Sequence, residues 1–232
     1  MFSPAATPHL LPVAPVARVS PHAPRTGEAL KIWHEARAPE GTPVEAYLHL
    51  HRHELTLPPN ASEVMRFHPA CPFARERTPA LVCLVRDVVT NKPKAVHRTA
   101  LSRDGRKITI NGKDKLALGP VSGGAVKLTA DEEVTTCLGV AEGIETALSL
   151  RKLPEFGPSP VWSLLSAGGV ERLPVLPGIE CLWLAVDNDE AGLRTTARTT
   201  ERWENAGREV VLVTPTTPGS DLNDVLAGGR HG

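Results

Sequence analysis

The sequence predicts an α/β protein with a parallel sheet covered by helices on both faces, preceded by a smaller α+β subdomain. In the last hundred residues, short apolar runs alternate with helix-like segments, and near-continuous apolar runs are typical of strands buried on both faces. Upstream, runs rich in branched residues are separated by turn signals, which is typical of antiparallel hairpins. These two patterns predict two parts with different architecture.

The N-terminal part is predicted to start with a disordered, proline-rich tail over residues 1–27. A short helix is expected over residues 28–38. A second helix should start at Thr42, because Pro43 suits the first helical position and Glu45 completes a capping box. The runs ALVCLVRDVV and KAVHRTAL, separated by TNKP, predict a β-hairpin. Together these elements define a basic α+β subdomain over residues 28–132.

The C-terminal part, residues 133–228, is predicted to contain four strands connected by helices. The strands are TCLGVAE, VWSLLS, ECLWLAV and REVVLVT. The connecting segments are the helix GIETALSLRKL, a turn or short helix in AGGVERLPVLPG, and the helix DEAGLRTTARTTERWENAG, which Gly207 closes. Such alternation predicts parallel strands, whose carboxyl ends share one edge of the sheet.

Composition excludes a membrane protein and indicates an anionic partner. The chain is 41% hydrophobic and 22% charged, and no run approaches the roughly 18 apolar residues of a membrane span. Residues 1–141 carry 18 Lys and Arg against 13 Asp and Glu, whereas residues 142–232 carry 8 against 13. A basic half joined to an acidic half predicts an anionic partner held near a metal-binding site.

The cysteines and histidines do not predict a zinc site. Four cysteines are scattered along the chain without a Cys-x-x-Cys pair, so neither a zinc ribbon nor a disulfide framework is expected. This usage favours a reducing, cytoplasmic setting. His49, His51 and His53 alternate within a predicted helix, where residues two apart do not share a face.

Acidic residues follow three of the predicted strands. Glu142 ends the first strand, Asp187 and Asp189 end the third, and Asp221 with Asp224 lies just beyond the fourth. Parallel strands bring these carboxylates to one edge of the sheet, and Asp187 and Asp189 point the same way. Two carboxylates about 6 Å apart repel by roughly 3 kcal/mol at an effective dielectric of about 20, so a cation is expected. Oxygen ligands favour Mg²⁺ or Mn²⁺ over zinc.

Each acid also has a common structural use when it is considered alone. Asp189 suits the N-cap of the following helix, Glu145 suits a first helical turn, and Asp221 suits a turn. Their occurrence at three strand ends favours a functional site over three unrelated structural uses.

Three motifs resemble the toprim domain shared by bacterial-type primases, topoisomerases and related nucleases. They are Glu142-Gly143-Ile144-Glu145-Thr146, Asp187-Asn188-Asp189-Glu190-Ala191-Gly192 and Gly219-Ser220-Asp221-Leu222-Asn223-Asp224. The resemblance covers residues from about 135 to 227 and is closest to toprim domains of phage- and plasmid-type primases. A weaker similarity to the region preceding toprim in those proteins runs through IWHEARAPEGTPVEAYL, MRFHPAC, VHRTAL and KLALGPVSGGAVKL.

The resemblance implies a Rossmann-like toprim sheet and a role for each acid. Glu142 is expected to be the general acid/base of nucleotidyl transfer, and Asp187 with Asp189 to hold Mg²⁺ or Mn²⁺. Asp221 and Asp224 are expected to support that ion or a second one. Glu145 receives no firm role, because it stands three residues after Glu142 and not four as in bacterial primases. The basic segment would bind template or triphosphate, through Arg86, Arg98, Lys113, Lys115 and Lys127.

The function implied is that of a Mg²⁺-dependent DNA primase-like nucleotidyltransferase of phage, plasmid or mobile-element type. Its partners would be single-stranded DNA, nucleoside triphosphates and a separate replicative helicase. The sequence shows neither the cysteine spacing of a zinc module nor a P-loop, so at most a catalytic core is expected. A small toprim nuclease and a non-catalytic DNA-binding module remain open alternatives. A topoisomerase is disfavoured, because the only tyrosine, Tyr47, lies far upstream and is expected to belong to the core.

Overall fold

The structure is a computed structural model that describes residues 23–188, 190–215, 219–220 and 222–228. Nine strands lie in these residues: β1 Met65–Phe73, β2 Glu76–Asp87, β3 Pro93–Ala100, β4 Lys115–Leu118, β5 Gly124–Lys127, β6 Cys137–Ala141, β7 Val161–Ser163, β8 Cys181–Ala185 and β9 Glu209–Val213. The α-helices in the same residues are α1 Ala23–Glu35, α2 Pro43–His51, α3 Ala61–Val64, α4 Ile144–Leu150, α5 Ala167–Glu171, α6 Glu190–Asn205 and α7 Leu222–Gly228.

The C-terminal strands form the predicted parallel sheet, in the order β7-β6-β8-β9. Successive residues of β6 face opposite sides of the sheet, so Leu138 and Val140 pack in one apolar cluster and Ala141 in another. The first cluster contains side chains of α5 and α6, and the second contains side chains of α4 and α7. Helices therefore cover both faces, and the predicted α/β fold is confirmed.

The N-terminal part contains the predicted hairpin and the second predicted helix. Strands β2 and β3 pair antiparallel, and β1 and β4 extend them. At the start of α2, the Thr42 hydroxyl accepts a hydrogen bond from the Val44 amide at 3.2 Å. The Glu45 carboxylate accepts one at 2.8 Å from the amide of Gly41, the residue before Thr42, so Thr42 caps the helix as predicted, whereas Glu45 binds the preceding turn and not the Thr42 amide of a capping box.

Helix α1 starts at Ala23, five residues earlier than the sequence predicts. Proline is tolerated in a first helical turn, so the proline-rich composition does not prevent a helix there. The Thr26 hydroxyl donates to the Lys94 carbonyl at 3.0 Å and ties this turn to β3. The preceding part of the predicted tail, residues 1–22, lies outside the described residues.

Strand β5 joins the two parts into one continuous sheet, in the order β4-β3-β2-β5-β7-β6-β8-β9. Its first half pairs with the end of β2, and its second half pairs with β7, both antiparallel. Glycine is required at position 124, because a Cβ there would lie 2.7 Å from Cγ1 of Val85. The antiparallel and parallel strands consequently share one core, in which Tyr47 of α2 and Leu148 of α4 belong to the same cluster.

The described residues also bear on disulfide bonds and on membrane-spanning helices. All four cysteines lie within them and are free thiols, two of them buried. None of the helices in the described ranges is both long and apolar enough to cross a membrane.

Candidate active site at the carboxyl edge of the parallel strands

The carboxyl ends of β6 and β8 place two of the predicted acidic residues close together. These strands are neighbours and pair in register up to Ala141 and Ala185. Glu142 follows β6 directly, Asp187 follows β8 by one further residue, and both half-buried side chains line one cavity of about 230 Å³. The sheet order therefore brings the first and second acidic motifs to the same site.

The loop before the third acidic motif packs against the loop after β8. The Asn188 amide donates to the Ser220 carbonyl at 3.3 Å, and the Gly219 amide donates to the Asn188 carbonyl at 2.8 Å. The Asn188 side chain also donates from Nδ2 to the Pro215 carbonyl at 2.9 Å. These backbone contacts join the second and third motifs.

The remaining predicted metal ligands have less structural support. Asp189 and Asp221 lie outside the described residues, and Asp224 lies on α7. Within the described ranges, no three His, Cys, Asp or Glu side chains form a group that could hold a metal ion. The acidic donors at this edge, Glu142 and Asp187, are carboxylates, and this donor type suits Mg²⁺ or Mn²⁺. Metal binding by the predicted set stays a prediction.

The N-terminal part contributes side chains to the same cavity. His97 of β3 and Lys115 of β4 line it together with Glu142 and Asp187. Lys115 pairs with Thr99 across β3 and β4, so the lysine lies near the histidine on adjacent strands. The cavity therefore combines three carboxylates of the C-terminal part, since Glu145 also lines it, with an ammonium group and an imidazole of the N-terminal part.

Glu145, the second acid of the first motif, is buried in the first turn of α4. The Lys115 ammonium lies 3.1 Å from its Oε2, and the Tyr47 hydroxyl donates to its Oε1. Burial alone would raise the pKa of this carboxyl, but Lys115 and the hydrogen bond from Tyr47 outweigh it and hold the pKa at about 2. Both carboxylate oxygens are thus occupied by partners from the N-terminal part.

Tyr47 belongs to the core as predicted, and it also carries a polar contact. Nε of Arg52 donates to the Tyr47 hydroxyl oxygen at 3.0 Å, and the guanidinium lies 5.1 Å from the centre of the ring. Burial and the neighbouring Glu145 carboxylate raise the pKa of Tyr47 far above its ordinary value. The hydroxyl therefore stays protonated and acts as the donor to Glu145.

Helix α7 is attached to the same region through Asn223. This buried side chain donates from Nδ2 to the Ser149 hydroxyl at 3.1 Å and to the Arg52 carbonyl at 3.3 Å. Ser149 lies on α4, and its hydroxyl donates to the Glu145 carbonyl at 2.9 Å. The third acidic motif is therefore fixed to the helix that follows the first.

Three of the basic residues predicted to bind nucleic acid differ in exposure. Lys115 lines the cavity, as described above. Lys113, two residues earlier, is exposed to solvent. Arg86 is half-buried and donates to the Asn91 carbonyl at 3.2 Å. Of these three, only Lys115 lies in the same cavity as the acids.

Arg98 and Lys127, also predicted to bind nucleic acid, are buried and bound to protein groups. The Arg98 guanidinium donates to the Pro72 carbonyl at 2.5 Å and lies over the Phe73 ring. The Lys127 ammonium lies 2.7 Å from the Asp131 carboxylate and 4.4 Å from the centre of the Trp162 ring. Buried charges need such partners, and nucleic-acid binding through these two residues stays a prediction.

The sequence alone does not assign His97, Tyr47 or Glu145 to the site. His97 lies in a strand where alternate residues share a face, but the sequence does not show which face meets the acids. The contact between Tyr47 and Glu145 joins residues 98 positions apart, which no local pattern predicts. The only sequence feature that pointed to Glu145 was its position in the first acidic motif, three residues after Glu142.

Two family models match the chain, one after the other. Residues 137–230 match the toprim domain model. The chain carries a toprim domain. Residues 23–128 match a second model, described as a domain of unknown function, DUF7146. The toprim match begins at the first residue of β6 and contains Glu142, Asp187 and the third acidic motif.

Solved structures similar to the chain come from primases. The primase fragment of the bacteriophage T7 primase-helicase protein is 17% identical with a TM-score of 0.50, over 72% of this chain and 62% of that fragment. The E. coli primase catalytic core is 12% identical with a TM-score of 0.48, over 88% of this chain and 74% of that one. The Aquifex aeolicus primase, with its zinc-binding and RNA polymerase domains, is 14% identical with a TM-score of 0.45, over 68% and 40%.

The toprim-domain chain therefore resembles primases in fold, and it spans 62% of the T7 fragment, less than two thirds. A comparison with curated protein sequences gives no match.

Proposed function

We propose that this toprim-domain protein is a Mg²⁺-dependent primase-like nucleotidyltransferase that joins ribonucleotides into primers on single-stranded DNA. The observation that carries the proposal is the cavity lined by Glu142 and Asp187 of the toprim domain together with Lys115 and His97 of the N-terminal part. Phosphoryl transfer uses acidic ligands for a metal ion, a base near the attacking hydroxyl and a cation for the phosphate. The cavity brings together side chains of each kind.

The metal ion in this proposal is Mg²⁺ or Mn²⁺. Asp187 would hold it together with Asp189, and Asp221 with Asp224 would support that ion or a second one. Such an ion would neutralise charge on the transferred phosphate. Glu145 is not assigned as a ligand, because Lys115 and Tyr47 occupy its two carboxylate oxygens.

The protein side chains then have separate tasks. Glu142, half-buried at the cavity, would accept the proton of the attacking hydroxyl as a general base. Lys115 would bind phosphate oxygens, with its ammonium positioned by Glu145. The Tyr47 hydroxyl would keep the Glu145 carboxylate in place. The first motif thus supplies both a reacting acid and a positioning acid.

The proposed partners are single-stranded DNA, nucleoside triphosphates and a separate replicative helicase. An enzyme of this phage, plasmid or mobile-element type would act in the cytoplasm. Arg103 and Lys113 support nucleic-acid binding, because both are exposed in the segment that leads into β4 and Lys115. Binding through such side chains depends on phosphate contacts and should weaken steeply as salt increases.

Incorporation of labelled ribonucleotides on single-stranded DNA, with and without Mg²⁺, tests the proposal. We expect short metal-dependent products with the wild type and with Glu155→Ala, an exposed acid of the same domain, and none with Glu142→Ala. Metal-dependent DNA cleavage without primers would instead support a toprim nuclease. Salt-sensitive DNA binding without any chemistry would support a non-catalytic module.

A further inference from the structure

The structure assigns an additional ligand-contacting residue to the cavity at the carboxyl edge of β6 and β8. We propose that His97 donates a hydrogen bond from its Nε2 to a phosphate group bound in this cavity. The inference rests on the proposed function, because the phosphate is that of a nucleotide or of the DNA strand in the proposed reaction.

The strand holds the His97 side chain at the cavity. His97 pairs with Cys83 of β2 on one side and with Ala117 of β4 on the other, so its backbone is fixed from both sides. The neighbouring residues face the other side of the sheet, where Val96 packs in a cluster with α1 and Arg98 is bonded to the Pro72 carbonyl. Strand alternation therefore directs the imidazole to the side of Lys115, Glu142 and Asp187.

One ring nitrogen of His97 is buried without a hydrogen-bond partner among the described residues. Nδ1 is excluded from solvent and makes no hydrogen bond within the described residues. Unpaired buried N–H groups are rarer in proteins than unpaired acceptors, so the proton is expected on Nε2. Burial and the nearby Lys115 charge lower the pKa of His97 to about 4, which keeps the ring neutral at pH 7. A neutral ring with this tautomer offers one donor, Nε2–H, to a ligand.

The size of the cavity fits a phosphate group bound together with a metal ion, because Glu142, Glu145 and Asp187 line it against one ammonium group, that of Lys115. Its volume of about 230 Å³ is below the range of about 300–1,000 Å³ that holds a whole drug-sized ligand. A phosphate and its ion fit such a space, with the base and sugar lying outside. Lys115 supplies positive charge, and His97 adds a directional donor that a lysine does not provide.

Binding measurements on two variants of His97 test this assignment. His97→Leu removes the donor and the unpaired buried nitrogen, while His97→Gln keeps an N–H near the position of Nε2. His34→Leu, at an exposed histidine of α1, is the matched control. The probes are ATP with Mg²⁺, measured by calorimetry, and a short oligothymidylate, measured by fluorescence anisotropy. The two probes distinguish a nucleotide phosphate from a DNA phosphate.

We expect His97→Leu to raise the Kd of one probe by about tenfold or more, as for loss of one hydrogen bond to a charged group. His97→Gln should recover most of the affinity, and His34→Leu should match the wild type. The thermal midpoint of His97→Leu should equal or exceed that of the wild type, which separates lost binding from lost folding. In the wild type, the ¹⁵N signal of the His97 Nε2 should shift when the probe binds.

The outcomes separate this inference from the function on which it rests. Wild-type protein that binds neither probe overturns both. Wild-type binding with an unchanged Kd for both probes in His97→Leu overturns the role of His97 and leaves the proposed function in place. A Kd raised equally in His97→Leu and His97→Gln also overturns the donor role, because only the ring shape would then matter.

Discussion

Replacement of Lys115 by methionine should expose how strongly the two parts of the protein depend on one buried ion pair. The Glu145 side chain is 8% exposed, and its main cation is the Lys115 ammonium at 3.1 Å. Its pKa of about 2, against an ordinary value of 4.5, corresponds to about 3 kcal/mol of unfolding free energy at neutral pH. Because the lysine itself is 33% exposed and partly screened, we expect Lys115→Met to lose about 2 kcal/mol.

The pH dependence of this loss has a definite sign. The pKa of Glu145 in the folded state lies below its ordinary value, so its stabilising effect is complete above about pH 4.5 and disappears as the pH falls towards 2. The difference in unfolding free energy between wild type and Lys115→Met should therefore be largest at pH 7. It should become smaller when the pH is lowered through 4.

Urea denaturation at pH 7 and at pH 3, followed by tryptophan fluorescence, measures both effects. Lys113→Met is the matched control, because it removes the same charge two residues away at an exposed position. The double variant Lys115→Met/Glu145→Gln removes the unpaired carboxylate and should recover at least half of the lost stability. If Lys115→Met and Lys113→Met have the same stability at pH 7, or if the loss does not change with pH, the reasoning is wrong.

Three further predictions concern the metal edge, the last helix and the strand that joins the two parts. Mg²⁺ should raise the melting temperature of the wild type by mass action, and Asp187→Asn should abolish this increase. Calorimetric scans with and without the ion measure both effects. An increase that persists in Asp187→Asn contradicts the metal assignment. Asn223→Ala should lower the unfolding free energy by about 1 to 2 kcal/mol in urea titrations, because the buried Ser149 hydroxyl loses a hydrogen bond. An unchanged unfolding free energy would mean that other contacts hold α7. Gly124→Ala should cost about 1 to 3 kcal/mol in the same assay, because the new methyl group meets the Val85 side chain. Gly27→Ala, at an exposed glycine of α1 with open space around it and no positive φ, serves as the comparison and should not lower the stability.

The sequence predicted the parallel part of the fold well because its information is local. Strands there are short apolar runs that alternate with helical segments, and few chain topologies are compatible with this alternation. The placement of Glu142 and Asp187 at one edge also followed from the sequence, because the carboxyl ends of parallel strands lie at the same edge of a sheet. That rule gives only the shared edge, and their meeting in one cavity also depends on β6 and β8 being neighbours in the sheet.

The contacts between the two parts could not be predicted in the same way. Glu145 meets Tyr47 and Lys115 only because β5 joins the antiparallel strands to β7 and places α2 beside α4. Residue type and spacing do not encode that arrangement. Basic residues gave a similar difficulty, since charge counts do not distinguish Lys115 at the cavity from Arg98, which lies on a buried face.

Strand β5 also determines how the protein can be divided for experiments. All four of its residues are buried, and it hydrogen-bonds to β2 and to β7, so it completes the sheet of both neighbours. A cut after residue 128 would leave the outer edge of β5 open in one fragment and the edge of β7 open in the other. Open sheet edges promote association between chains. Separately expressed halves are therefore expected to aggregate, whereas mixing them during refolding should restore a soluble pair that closes both edges.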